Sequence, residues 1–133
     1  MKYKSQTSFT HGQADKVGVL ISNLGTPPAP TKQALKPYLK QFLSDPRVVE
    51  VPKIIWWCVL NLIILNIRPK RSAEAYKTVW TEEGSPLLVH TKNQALGLEQ
   101  KLKAEYGDNI VVSYAMRYGQ PSVSRAIDEL LDQ

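Results

Sequence analysis

The chain reads as an open α/β sheet with parallel strands and flanking helices, and three observations predict it. Two short runs, residues 17–23 and 110–115, are β-branched and apolar on both faces, as strands covered by helices require. The segments between and after them repeat apolar residues at three- and four-residue steps, the period of a helix. Their order is strand, several helices, strand, helix, which is the order of parallel strands joined by helical crossovers. Two strands do not bury themselves, since sheets of this class usually have about four or more. The last helix also meets Gln133 without a C-cap. The expectation is therefore an incomplete sheet, with residues 17–133 forming the N-terminal part of a longer α/β domain.

Residues 1–16 are polar, carry Lys2, Lys4, His11 and Lys16, and have no apolar core of a signal peptide; they read as a frayed, disordered arm. The first strand, 17–23, gives way to Leu24-Gly25-Thr26-Pro27-Pro28-Ala29-Pro30, a breaker-rich loop. Thr31 caps a helix over 32–44, with Leu35, Tyr38, Leu39, Phe42 and Leu43 on one face, and Asp45-Pro46 stops it. A second helix is expected over 54–65 after Pro52, and a third from Ser72, its cap, to about Trp80. Gly84-Ser85-Pro86 punctuates the chain, with Ser85 at the N-cap and Pro86 in the first turn of a helix that ends at Tyr106 before Gly107. The second strand follows over 110–115, and Pro121 opens a final helix to Gln133.

Composition narrows the chemistry. The chain has 133 residues, 43% hydrophobic and 22% charged, a globular balance. Its 17 Lys+Arg against 12 Asp+Glu give a net charge of +5, which permits contact with phosphate, carboxylate or anionic lipid without naming one. A single cysteine, Cys58, excludes an internal disulfide, and with two histidines it excludes a zinc finger. No Gly-rich dinucleotide or phosphate loop, no metal-ligand cluster and no nucleophile–base pair is present. His90 sits on a helix with no nearby acid. Arg68-Pro69-Lys70-Arg71 is too short for a nucleic-acid patch and lacks spaced aromatic platforms, so no nucleic-acid partner is expected.

Two regions invite a ligand. In open parallel sheets, ligands bind beyond the carboxyl ends of the strands, so Leu24-Gly25-Thr26-Pro27 and Arg117-Tyr118-Gly119 point at one crevice. The stretch 54–67, with Trp56 and Trp57 adjacent, is apolar all round. It is shorter than the roughly 20 residues that cross a bilayer, and its length favours a core helix. The paired tryptophans beside Arg68, Lys70 and Arg71 favour instead a greasy rim for a flat apolar ligand or a membrane surface.

Five blocks, in order and with matching spacing, resemble the ferrochelatase family. They are Asn23-Leu24-Gly25-Thr26-Pro27, Phe42-Leu43-Ser44-Asp45-Pro46-Arg47-Val48-Val49, Arg71-Ser72-Ala73-Glu74-Ala75-Tyr76, Val79-Trp80-Thr81-Glu82-Glu83-Gly84-Ser85-Pro86-Leu87 and Ala115-Met116-Arg117-Tyr118-Gly119. The resemblance implies part of the first of two flavodoxin-like halves, in an enzyme that inserts ferrous iron into a porphyrin as the last step of haem biosynthesis. It implies that Leu39, Phe42 and Leu43, with the run over 54–65, form the apolar lip that holds the macrocycle. Arg68 matches a position on the propionate side, and Tyr76 and Ser85 match positions that hydrogen-bond the porphyrin or its carboxylates. Arg117 and Tyr118 match polar residues at the metal-facing side, and Leu24 stands where some relatives carry a tyrosine near the metal.

The family's catalytic histidine lies on a later strand and its glutamate partner later still, and neither His11 nor His90 occupies a matching position, so this chain alone is expected to be inactive. Porphyrin and ferrous iron are the implied partners, with iron as substrate; no cofactor, and no iron–sulfur cluster in this segment, is expected. The implied location is cytoplasmic, with peripheral contact to the inner face of a membrane through 54–71. The competing reading is a non-catalytic module that binds a membrane surface or an anionic amphiphile through the same residues.

Overall fold

In the computed structural model, which describes Gly12 and residues 15–133, two strands pair in parallel: β1 (Val17–Thr26) and β2 (Ile110–Gly119). The helices are α1 (Lys32–Leu43), α2 (Lys53–Cys58), α3 (Leu65–Val79), α4 (Pro86–Tyr106) and α5 (Val123–Leu131), with a π-helical segment, Val59–Ile64, joining α2 to α3. The arm expected over 1–16 lies almost wholly outside the described residues. Side chains alternate across a strand, so Asn23, bonded to Thr91 of α4, and Gly18, packed against Leu130 of α5, look to opposite faces. Helices thus cover both sides of an open parallel α/β sheet, as expected.

Both strands run further than their apolar runs. The strand expected to end at Asn23 continues through Leu24-Gly25-Thr26, and its partner continues from Ala115 through Gly119. The reason lies in two facing glycines: Gly25 pairs beside Tyr118 and Gly119 beside Thr26, with φ of +111° and +91°. Residues that read as breakers lack the Cβ that would keep the backbones apart. β1 is also less buried than expected. Val17 is half-exposed and cover increases only toward Gly25 and Thr26, because each strand has one neighbour among the described residues.

The helices expected over 54–65 and from Ser72 are one continuous helical rod from Lys53 to Val79. Ser72 is inside it and caps nothing. Pro69 does not break it, although an interior proline removes a hydrogen bond and costs about 3 kcal/mol. Leu65, Pro69 and Ala73, four residues apart, form one buried stripe, with α3 lying against α1, and that burial offsets the lost bond. The π turn displaces carbonyls from helical partners, and asparagines answer them. Asn61 Nδ2 donates to Trp57 O at 2.8 Å, and Asn66 Nδ2 donates to Leu62 O at 2.9 Å and Asn61 O at 3.3 Å.

Caps fall close to expectation. Thr31 Oγ1 accepts from Ala34 N at 3.3 Å, and Gly107, at φ +100°, ends α4. Ser85 occupies the N-cap of α4 without a side-chain capping bond. The last helix begins at Val123, not Pro121, because Ser122 Oγ accepts from Arg125 N at 3.3 Å. One core unites Leu35, Tyr38, Leu39 and Leu43 of α1 with Leu60, Leu65 and Ala73 of the rod and with Tyr118 at the tip of β2.

Candidate functional site

The parallel register brings both strand tips to the same end of the sheet, Gly25 against Tyr118 and Thr26 against Gly119. α1 fastens this end. Tyr38 Oη donates to Gly25 O at 3.1 Å, and Gly119 N donates to Gln41 Oε1 at 3.0 Å. Burial, then the neighbouring Tyr76 hydroxyl, hold the Tyr38 phenol well above its ordinary value, so it remains a neutral donor. On the other side of β1, Asn23 Nδ2 donates to Thr91 Oγ1 at 2.9 Å, while Asn23 Oδ1 accepts from Leu24 N at 2.8 Å. Leu24 is left half-exposed at the tip.

Arg117 and Tyr118 share one carboxylate. Arg117 Nη2 donates to Asp45 Oδ2 at 2.8 Å, and Tyr118 Oη donates to the same oxygen at 2.9 Å. Arg117 Nε donates back to Tyr118 Oη at 3.3 Å. Asp45 Oδ1 accepts from Arg47 N at 2.9 Å, which closes the turn after α1. The Arg47 amide first, then Arg117 and Tyr118, lower the Asp45 carboxyl from 3.8 to about 2. Tyr118 is buried and its proton is committed, whereas the Arg117 side chain is 46% exposed. Of the two, Arg117 is the one open to solvent.

A folded-state pKa below the unfolded value stabilises the fold above that value and is lost as pH falls through the folded one. The turn-to-strand clamp is therefore expected to release between about pH 4 and about pH 2. Urea midpoints across that window should fall for the native chain, and Asp45→Asn should flatten this part of the profile.

The lip residues divide. Leu39 and Leu43 are buried in the core, while Phe42 is half-buried, its ring stacked on Tyr38 and edge-on to Tyr118 with centroids 5.0 Å apart. The rod behaves oppositely. Over residues 54–67 only Leu60 and Leu65 are buried, and Ile54 (82%), Ile55, Trp57, Leu62, Ile63 and Ile67 (68%) are exposed. The stretch is therefore not the buried core helix that its length favours: most of its apolar side chains face outward among the described residues. The paired tryptophans differ: Trp56 Nε1 donates to Leu43 O at 2.6 Å and packs on the core, while Trp57 faces out.

A groove of about 570 Å³ follows the rod, with Ile63, Ile64 and Ile67 as apolar lining and Arg68 and Arg71 as cations. A hollow of about 280 Å³ lies by Val49, Val51, Trp56 and Trp57, with Lys53 among its lining. Tyr76 is half-buried on the core, edge-on to Trp80 with centroids 6.3 Å apart. Ser85 is buried behind the tight Thr81–Gly84 turn, in which each backbone N–H donates to the other's carbonyl at 3.0 Å. The structure thus joins Phe42, Tyr118, Trp56 and Tyr76 through one core, and leaves Arg68 on the groove and Leu24 at the tip. Asp45, Tyr38 and Gln41, to which the sequence reading assigns no site role, are the residues that hydrogen-bond the strand tips. An acid in a helix-ending turn, opposite a strand-tip arginine, was the available signal for Asp45.

Among the described residues, no three His, Cys, Asp or Glu side chains group closely enough to hold a metal ion, and no helix is long and apolar enough to cross a membrane. Comparison with known proteins agrees with the geometry. The ferrochelatase family model matches residues 16–133. The whole chain is 64% identical to a ferrochelatase of Idiomarina loihiensis, 62% to one of Pseudoalteromonas atlantica and 59% to one of Teredinibacter turnerae. It spans only 36%, 37% and 36% of those relatives' lengths, a little over a third, which accords with an N-terminal portion. An open parallel sheet with converging strand tips, five sequence blocks in register and a family match across nearly every residue lead to one conclusion: the chain belongs to the ferrochelatase family.

Proposed function

We propose that this chain supplies the porphyrin-holding part of a ferrochelatase that inserts ferrous iron into a porphyrin to form haem. The observation that carries the reading is the apolar face of the rod, left open beside Arg68 and Arg71 and seated on the same core as the strand tips. A porphyrin is a flat apolar plate with anionic carboxylates, so it needs apolar surface with cations at its border. Arg68 and Arg71 would take the carboxylates, and Arg117 would stand at the strand tips on the metal side. The catalytic histidine and glutamate would come from the remainder of a full-length protein, leaving this portion without metal insertion of its own. The exposed apolar residues and their flanking cations also fit the interfacial region of an anionic membrane, in peripheral contact on the cytoplasmic side.

The test splices this chain in place of the matching segment of a full-length relative and measures porphyrin metallation with zinc or iron. Burying one apolar side chain is worth about 1.5–3 kcal/mol. Trp57→Ser with Ile63→Ser should therefore raise the porphyrin KM at least about tenfold. The same variant should lose sedimentation with anionic vesicles, while neutral vesicles bind neither protein. An unchanged porphyrin KM would remove the rod from the site.

A further inference from the structure

We propose that Asp45 is a positioning residue of the cleft: it fixes Arg117 at the carboxyl end of β2 and cancels its charge, so that a divalent cation can pass a guanidinium that would otherwise repel it. The inference rests on the metal-side placement of Arg117 in the function proposed above. Three features carry it. Asp45 lies in the turn after α1, yet its Oδ2 reaches across to Arg117 Nη2 at 2.8 Å and Tyr118 Oη at 2.9 Å. Its Oδ1 is held by Arg47 N at 2.9 Å, so the carboxylate is anchored at both oxygens and cannot swing away with the guanidinium. Tyr118 is buried and braced by Phe42, which fixes the third corner.

The electrostatic consequence follows from a bare count. The chain carries net charge +5, and Arg117 is nearly half exposed at the strand tips. A free guanidinium there would face an incoming dication with a repulsion that solvent only partly screens. A carboxylate on the same guanidinium brings the local charge to zero and keeps its remaining N–H groups aimed. The Tyr118 hydroxyl, between the two, adds direction without charge.

The experiment uses the full-length splice and separates charge from architecture. Asp45→Asn keeps the shape and removes the charge. The metal KM should rise about three- to tenfold at low ionic strength, shrink toward wild type at about 0.5 M salt, and leave the porphyrin KM unmoved. Asp45→Asn combined with Arg117→Gln should bring the metal KM back near wild type. Arg117→Gln alone, which leaves the carboxylate unpaired, should lower it, and this variant decides the matter where Asp45→Asn does not fold. A salt-independent fall in kcat without a change in metal KM, or no rescue in the double variant, would overturn the proposal and leave Asp45 a clamp of the fold. Wild-type splice that is folded but metallates no porphyrin would instead sink the chelatase reading, and this proposal with it.

Discussion

Gly25→Ala is expected to destabilise the chain by at least about 3 kcal/mol, the range reserved for strained backbone and forced overlap. A Cβ placed on Gly25 would sit 1.8 Å from the Tyr118 carbonyl oxygen and 2.8 Å from its carbon, both backbone atoms that no rotamer change can move. The φ of +111° adds a second penalty, since an L side chain rarely adopts it. The effect does not stop at stability. Gly25 O receives the Tyr38 hydroxyl, so spreading the strands also pulls α1 away from the tip that carries Arg117. Urea denaturation followed by tryptophan fluorescence should show a lost or sharply shifted transition. Gly97→Ala is the matched control: it lies inside α4 with nothing within 4 Å of the added methyl, and should stabilise by roughly 0.5–1 kcal/mol. If Gly25→Ala melts like the native chain, the close pairing of the tips is wrong.

The same glycines show where reading the chain by letter succeeds and where it stops. β-branched runs revealed both strands, because burial on two faces leaves a local compositional trace. Their ends were hidden, because Gly25 and Gly119 look like breakers until each is seen against the other strand. Pro69 and Ser72 divided the rod for a similar reason: local signals compete with a stripe, Leu65-Pro69-Ala73, whose value depends on α1. Trp56 and Trp57 are identical letters, and only the Leu43 carbonyl tells them apart. Arg117 and Tyr118 were legible as strand-tip residues from the topology of parallel sheets alone. Their partner was not, since Asp45 lies 72 and 73 positions away and owes its role to folding.

Leu35→Ala is expected to cost about 2–5 kcal/mol, as truncation of a fully buried leucine does when the cavity cannot collapse. Leu35 is 0% exposed and belongs to the cluster that includes Leu60, Leu65 and Ala73 of the rod and Tyr118 of β2. It belongs to the core that the rod and the strand tip share. Ile54→Ala provides the contrast. Ile54 is 82% exposed, so its truncation should change stability by no more than about 0.5 kcal/mol. The two residues are similar in size and hydrophobicity, and differ in what they face. If the outer apolar residues of the rod exist to meet a macrocycle or a lipid surface, Ile54→Ala should weaken that contact at unchanged urea midpoint. Leu35→Ala should instead move the midpoint first and disturb ligand contact only through loss of the fold. A large stability loss from Ile54→Ala would mean that this face packs against protein, and the rim would no longer be free to hold a porphyrin.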